Sequence, residues 1–175
     1  MRMILAAASL ASLALAGCST LESLPSDRIG QAQLNRANGV PVGTAQLLSN
    51  GQTLSLAMAA TGLEPGEHGF HLHTTGRCDA PDFTSAGGHL NPLGREHGSL
   101  NPEGQHLGDM PNLVVGTSRT GSIEIDIGPD TPAYRDYLFD ADGTAIVIHA
   151  GPDDYRTDPA GDAGSRVACG VLRAS

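Results

Sequence analysis

All seven histidines of this 175-residue chain fall between His68 and His149. His71 and His73 sit one residue apart in an apolar run, so in a strand both imidazoles leave from one face. Such a pair can give two ligands to one metal, although chance surface pairs also occur. His89, His97, His106 and Asp109 follow at offsets of 8, 9 and 3, bordered by Gly87, Gly88, Gly98 and Gly108. Three imidazoles and a carboxylate make the four-ligand shell that zinc accepts tetrahedrally. His149 closes the run Ala145-Ile146-Val147-Ile148. His68 has the opposite parity to His71 and His73 and is expected on the surface as a bystander. Imidazole-rich sites suit zinc or copper, and the ligands suffice for two metals without fixing which residue serves which.

The three cysteines divide in two ways. Met1-Arg2 precedes an apolar run from Met3 to Ala16, broken only by Ser9 and Ser12. A basic residue, a stretch of this length and small residues after it make a secretory signal. The run is short for a transmembrane helix, which needs ~20 apolar residues. Its end, Leu15-Ala16-Gly17-Cys18, resembles a bacterial lipobox, in which the Cys becomes the acylated first residue of the mature protein. Each buried CH₂ of an acyl chain contributes ~0.8 kcal/mol to anchoring. Residues 1–17 are thus expected to be a lipoprotein signal and 18–28 a lipidated tether; an ordinary signal peptide with an incidental Cys18 is the alternative. Cys78 and Cys169 remain. Export permits a disulfide between them, whose closed loop would stabilise by up to roughly 4–5 kcal/mol; two free or metal-binding thiols are the alternative.

The rest of the chain must position these groups. With 39% hydrophobic and 17% charged residues the composition is globular, and the length suits one domain, here 29–175. Residues 29–34, 42–48, 53–58, 68–73, 113–115, 122–127, 145–149 and 168–172 read as eight short strands. Asn38-Gly39 is a turn signal between the first two, and residues 122–127 alternate strictly, as a half-solvated antiparallel strand does. No window sustains a helical period. The pattern predicts an all-β sandwich or barrel with two long connections, roughly 74–111 and 150–167, which hold the polar chemistry. The formal net charge is −9, and removing residues 1–17 takes away only Arg2, leaving −10. No basic patch offers itself to nucleic acid.

Several stretches together resemble copper,zinc superoxide dismutases over about residues 30–172. They are Gly69-Phe70-His71-Leu72-His73, Gly87-Gly88-His89-Leu90-Asn91-Pro92 running to His97-Gly98, His106-Leu107-Gly108-Asp109, Val147-Ile148-His149, and the run from Gly161 to Val171. The resemblance implies an eight-stranded Greek-key β-barrel that dismutes superoxide to oxygen and hydrogen peroxide. By it, His71, His73, His89 and His149 hold copper, while His89, His97, His106 and Asp109 hold zinc, so that His89 bridges. Asp153 matches a carboxylate that orients ligands of both metals, and Arg166 an arginine that guides and holds superoxide; His89 and Arg166 are then the catalytic pair. Cys78 and Cys169 match a disulfide that pins the long loop to the barrel. The segment from Ala150 to Ser165 departs from the animal members: it is short and carries Asp153, Asp154, Arg156, Asp158 and Asp162 in place of their lysine-and-glutamate pattern.

An acidic protein with an anionic substrate needs a local positive field; Arg166 is the leading cation, with Arg156 and Arg95 behind it. The expected location is the cell envelope, on the periplasmic side of an outer membrane, with membrane contact through the N-terminal lipid only. The resemblance also allows a homodimer. Two other readings of the sequence are a non-enzymatic copper- and zinc-binding lipoprotein on the same fold, and a purely structural sandwich module.

Overall fold

Alternating apolar residues give this chain strands, and the computed structural model, which describes residues 26–175, shows how they close around one core. The expected signal, Cys18 and most of the tether lie outside the described residues. The elements run β1 (Asp27–Asn35), β2 (Pro41–Ser49), β3 (Thr53–Thr61), β4 (Gly66–His68), β5 (Phe70–His73), β6 (Leu113–Val115), β7 (Thr120–Pro129), α1 (Pro132–Leu138), β8 (Ala145–His149), β9 (Arg166–Val171) and β10 (Arg173–Ala174). One antiparallel sheet has the order β5-β8-β9-β1-β2-β3-β7, with β10 on β1, and β4 pairs with β6. At Gly121 of β7 an added Cβ would meet the Val114 carbonyl of β6 at 2.5 Å, so the small sheet lies tight against the large one. The order is non-consecutive, as a Greek key requires, and the curled sheet is the expected barrel.

Leu54, Leu56, Met58 and Ala60 of β3 point inward on alternate positions, and Leu34, Leu47, Phe70, Leu72, Leu113, Ile146 and Ile148 meet them in the core. β5 and β8 differ from the other strands because every residue in them is buried. Their inward residues, Phe70, Leu72, Ile146 and Ile148, belong to the barrel core. Ala145 and Val147 on the outward face pack instead with Phe83, Ala86 and Cys169 beneath the long connection. A strand covered on both faces reads as a continuous apolar run, which is why residues 145–148 show no alternation.

Two expectations change. Residues 68–73 do not form one strand: Gly69 separates β4, which pairs with β6, from β5, which pairs with β8. His68 is consequently buried rather than on the surface, its Nδ1 2.8 Å from the His149 carbonyl and its Nε2 2.9 Å from that of Glu64. A parity argument holds only within one continuous strand. Helix α1 was not expected, because seven residues are too few to show a period. Its local signals are present: Thr131 caps it by accepting from the Tyr134 amide, and Pro132 opens its first turn.

Cys78 and Cys169 form a disulfide across 91 positions with Cα atoms 5.6 Å apart, joining the long connection to β9. Replacing both cysteines by alanine should lower unfolding free energy by roughly 2–5 kcal/mol. Urea unfolding of the variant against the wild type checks this, and an unchanged midpoint contradicts it.

Candidate metal centre

The geometry of the site starts from the open edge of β5. β5 ends the large sheet, and its free side is stitched by the long connection: the Leu72 amide donates to the Gly108 carbonyl (3.0 Å), the Leu90 amide to the Leu72 carbonyl (2.8 Å) and the Thr74 amide to the Gly88 carbonyl (3.0 Å). Gly108 is required there, since a Cβ would meet the Leu72 carbonyl at 2.3 Å. This stitching sets His89 opposite His73 and Asp109 opposite His71. The ladder between β5 and β8 brings up His149.

Six histidines and Asp109 then fall into two groups of four that share His89. His71, His73, His89 and His149 make one, His89, His97, His106 and Asp109 the other, and within each group the ligand atoms lie within 4.8 Å of one another. Chain position had paired His71 with His73 and set His89 with His97, His106 and Asp109; the fold adds His89 and His149 to the first pair, as the resemblance implied. His68 belongs to neither.

In the first group each ring has one nitrogen engaged and one idle. His71 Nε2 donates to Asp153 Oδ2 (2.7 Å), His73 Nδ1 to the Gly87 carbonyl (3.0 Å), and His149 Nδ1 to the Gly164 carbonyl (3.0 Å); His89 Nδ1 faces Asp109 Oδ1 at 2.8 Å. The four opposite nitrogens, His71 Nδ1, His73 Nε2, His89 Nε2 and His149 Nε2, are buried without a partner. Only Thr144 Oγ1 joins them among the described residues. Each such orphan costs about 1–3 kcal/mol, so four together describe a cation site: neutral imidazole lone pairs aimed at one point, with the far nitrogens fixing the tautomers. Burial pushes the His71 pKa down to about 4 against its bond to Asp153, and that of His73 down to about 2. It also lowers His89 and His149.

The second group converges on a single oxygen. Asp109 Oδ1 lies 2.8, 3.0 and 3.1 Å from Nδ1 of His89, His97 and His106. Asp109 Oδ2 is used up by the amides of Gly98 (2.9 Å) and His106 (3.0 Å), which leaves Oδ1 to the cluster. A tetrahedron with bonds of about 2.0–2.1 Å has edges of about 3.3 Å, so the three edges that meet at Asp109 Oδ1 are close to zinc spacing. Burial would raise the Asp109 carboxyl, but hydrogen bonds from His89 and His97 and from the Gly98 amide outweigh it and hold it well below the usual range. Burial would likewise lower His97, yet Asp109 and Asp153 outweigh it and raise His97 to about 9.

Asp153 joins the two groups. It is buried, with Oδ2 on His71 Nε2 and Oδ1 accepting from His97 Nε2 at 3.0 Å. Gly161 stands beside it at φ +65°, where a Cβ would come within 2.0 Å of Oδ1. Arg166 pairs with His149 across the ladder between β8 and β9, and its guanidinium donates to the Phe83 carbonyl (2.8 Å) and to the Gly87 carbonyl (2.7 Å), the acceptor that His73 also uses. Arg156 instead reaches the Leu100 carbonyl at 3.3 Å. Asn112, Tyr155, Asp158 and Gly161 also shape the site and were not legible as such; Asn112, Tyr155 and Asp158 act through backbone contacts that no motif in a single sequence announces.

A curled antiparallel Greek-key barrel carrying two fused four-ligand groups on its outer wall defines a class of binuclear metalloprotein. The family model described as copper/zinc superoxide dismutase matches residues 42–172. "Superoxide dismutase [Cu-Zn] 2" of Aquifex aeolicus (strain VF5) is 44% identical over 156 residues, covering 86% of this chain and 90% of its own. "Superoxide dismutase [Cu-Zn]" of Caulobacter vibrioides (strain ATCC 19089 / CIP 103742 / CB 15) is 38% identical, with 81% and 84% covered. The crystal structure of a SOD-like protein from Bacillus subtilis superimposes with a TM-score of 0.76 at 39% identity, over 82% of this chain and 97% of that one. The chain belongs to the copper/zinc superoxide dismutase family.

The proton states make a prediction for the metal-free protein. His71 and His73 have folded pKa values of about 4 and about 2 against 6.5 for a free histidine. The unfolded chain therefore gains protons first, and stability falls as pH drops below about 6.5. His97 has the opposite sign: raised to about 9, its contribution is complete below 6.5 and is lost as pH rises through about 9. The melting temperature of the metal-free protein should peak near pH 6.5 and fall toward both pH 5 and pH 9. A profile rising steadily in either direction contradicts these assignments.

Proposed function

We propose that this chain dismutes superoxide to oxygen and hydrogen peroxide, with copper held by His71, His73, His89 and His149 and zinc by His89, His97, His106 and Asp109. The observation that carries the reading is the set of four buried, unpartnered ring nitrogens sharing His89 with a carboxylate-centred group of three imidazoles. The relatives named as Cu-Zn superoxide dismutases support it. Copper held in the all-imidazole group would supply the one-electron redox chemistry that dismutation needs, whereas zinc has no redox chemistry.

The protein's own residues handle orientation, charge and protons. His89 presents Nδ1 to the Asp109 side and Nε2 to the other imidazoles, so Nε2 is the atom at which its ring would carry a proton for peroxide whenever that nitrogen does not hold copper. Asp153 holds His71 and His97 in fixed tautomers through Nε2 of each. Arg166 is half-buried and tied to Phe83 and Gly87, so its positive charge is held rigidly beside the His73 and His149 rings. On a chain of net charge −9 this fixed cation is what draws and orients an anion.

The reading includes export. The signal-like N-terminus and Cys18 support a lipid-anchored protein of the cell envelope, with residues 1–17 removed and membrane contact through the lipid alone, on the periplasmic side of an outer membrane; the tether runs from residue 18 to the start of β1, two residues short of the expected 28, because Asp27 and Arg28 pair with Ser49 and Leu48. The disulfide fits an oxidising compartment. A homodimer is part of the same proposal, and the exposed apolar side chains of Leu93, Leu100 and Val114 offer a second copy surface to bury.

Purified protein loaded with copper and zinc should remove superoxide in a cyanide-sensitive manner. Arg166→Ala should lower kcat/KM at least about tenfold while metal analysis shows unchanged copper and zinc. Full activity in that variant would sink the role of Arg166. A fully loaded wild type without activity would instead favour the non-enzymatic metal-binding protein.

A further inference from the structure

The acidic segment 150–165 has an unexpected use of its charges. Asp153 is spent on His71 and His97. Asp154 accepts from the amides of Arg156 and Thr157, each at 2.8 Å, and so closes a local turn. Asp158 Oδ1 accepts from the backbone amide of His97 at 2.7 Å, across 61 positions of sequence. Three of the four aspartates thus point at protein donors, and the two longest-range of them converge on one residue, His97.

We propose that segment 150–165 is a clasp on the zinc group, in which Asp158 and Tyr155 are positioning residues for His97; the inference rests on the metal reading above. His97 is fully buried yet sits in the long connection outside any strand. Its ring is fixed by Asp109 and Asp153, its amide by Asp158, and its carbonyl by Asn101 Nδ2 at 3.1 Å. His71 and His73 need no such help, because the β5–β8 ladder fixes their backbone.

Tyr155 closes the clasp from the other side with three groups at once. Its amide donates to Asp153 Oδ1 at 2.6 Å, its carbonyl accepts from the Leu100 amide at 3.0 Å, and its hydroxyl accepts from the Asn112 amide at 2.8 Å. Asn112 completes the circuit, since its side chain accepts from the Asp153 amide at 2.9 Å and donates to the Asp153 carbonyl at 3.0 Å. The Tyr155 backbone reaches these partners in the left-handed region, at φ 62°. The approach is so close that a Cβ on Gly98, the residue after His97, would lie 2.1 Å from the Tyr155 carbonyl. Contacts that hold a ligand in place set metal affinity, and losing one costs about 10–100-fold. Because the clasp grips His97, whereas His71, His73 and His149 of the other group lie on β5 and β8, the loss falls on zinc far more than on copper.

The test compares full-length wild type with Asp158→Ala, Asp158→Asn and Tyr155→Phe. Chelator competition measures zinc and copper affinity separately, and cobalt(II) placed in the zinc group reports its coordination by absorption. Asp158→Ala should weaken zinc about tenfold and alter the cobalt spectrum, with copper affinity far less affected. Asp158→Asn keeps a carbonyl acceptor for the His97 amide and should restore most of the zinc affinity. Tyr155→Phe, which removes only the hydroxyl, should shift zinc in the same direction by less. Wild-type zinc affinity in Asp158→Ala overturns the proposal. So does an equal loss of both metals accompanied by a lower melting temperature of the metal-free variant, which marks a general structural defect. A wild type that takes up no zinc overturns the metal reading beneath it as well, and is told apart by needing no variant.

Discussion

Four imidazole nitrogens buried with no partner in the protein are the constraint on which the rest of this structure turns. Placing them inside requires a wall covered on both faces, and β5 and β8 are that wall. The barrel core lies against Phe70, Leu72, Ile146 and Ile148, while the ligand rings and the Phe83–Ala86 cover lie against the other face. The cover must be held down, and three features do it: the hydrogen bonds along the open edge of β5, the disulfide to β9, and the absence of a side chain at Gly108. The cost of four orphan nitrogens is what the metal removes, so the loops and the ion are parts of one arrangement rather than a scaffold and a guest.

Carboxylates set the protonation around that arrangement. Asp109 gathers three ring nitrogens on one oxygen and Asp153 reaches from one ligand group to the other. Burial alone would neutralise both acids and all the imidazoles. It prevails at His71 and His73, which stay neutral, whereas the paired carboxylates prevail at His97, which holds its proton in the metal-free protein. The same burial therefore yields opposite proton states a few ångströms apart, and the difference lies in how many carboxylates each ring meets: His97 meets both Asp109 and Asp153, His71 only Asp153 and His73 neither.

Charge is the least obvious part of the design. A protein of net charge −9 that acts on an anion works against its own field unless the negative groups are engaged and a positive one is fixed near the site. Both conditions are met locally. Asp153, Asp154 and Asp158 are occupied by protein donors, and Arg166 is tethered by two carbonyls next to the ligand rings.

Much of this was legible before any coordinates. Period-2 alternation located the strands, the i, i+2 spacing put His71 and His73 on one face, and the close spacing of His89, His97, His106 and Asp109 marked a second ligand set, because these signals are local. Helix α1 escaped for want of length, and His68 was misplaced because Gly69 ends one strand and begins another that pairs elsewhere. Residue types and their order along the chain therefore determined the architecture and marked the candidate ligands. The resemblance had implied that His89 serves both groups and that Asp153 orients ligands of both; the contacts by which they do so, and the grip of Asp158 on the His97 amide, came only with the tertiary structure. These are meetings between residues dozens of positions apart, made through backbone groups and shared carboxylate oxygens that every sequence carries and only a folded chain brings within 3 Å.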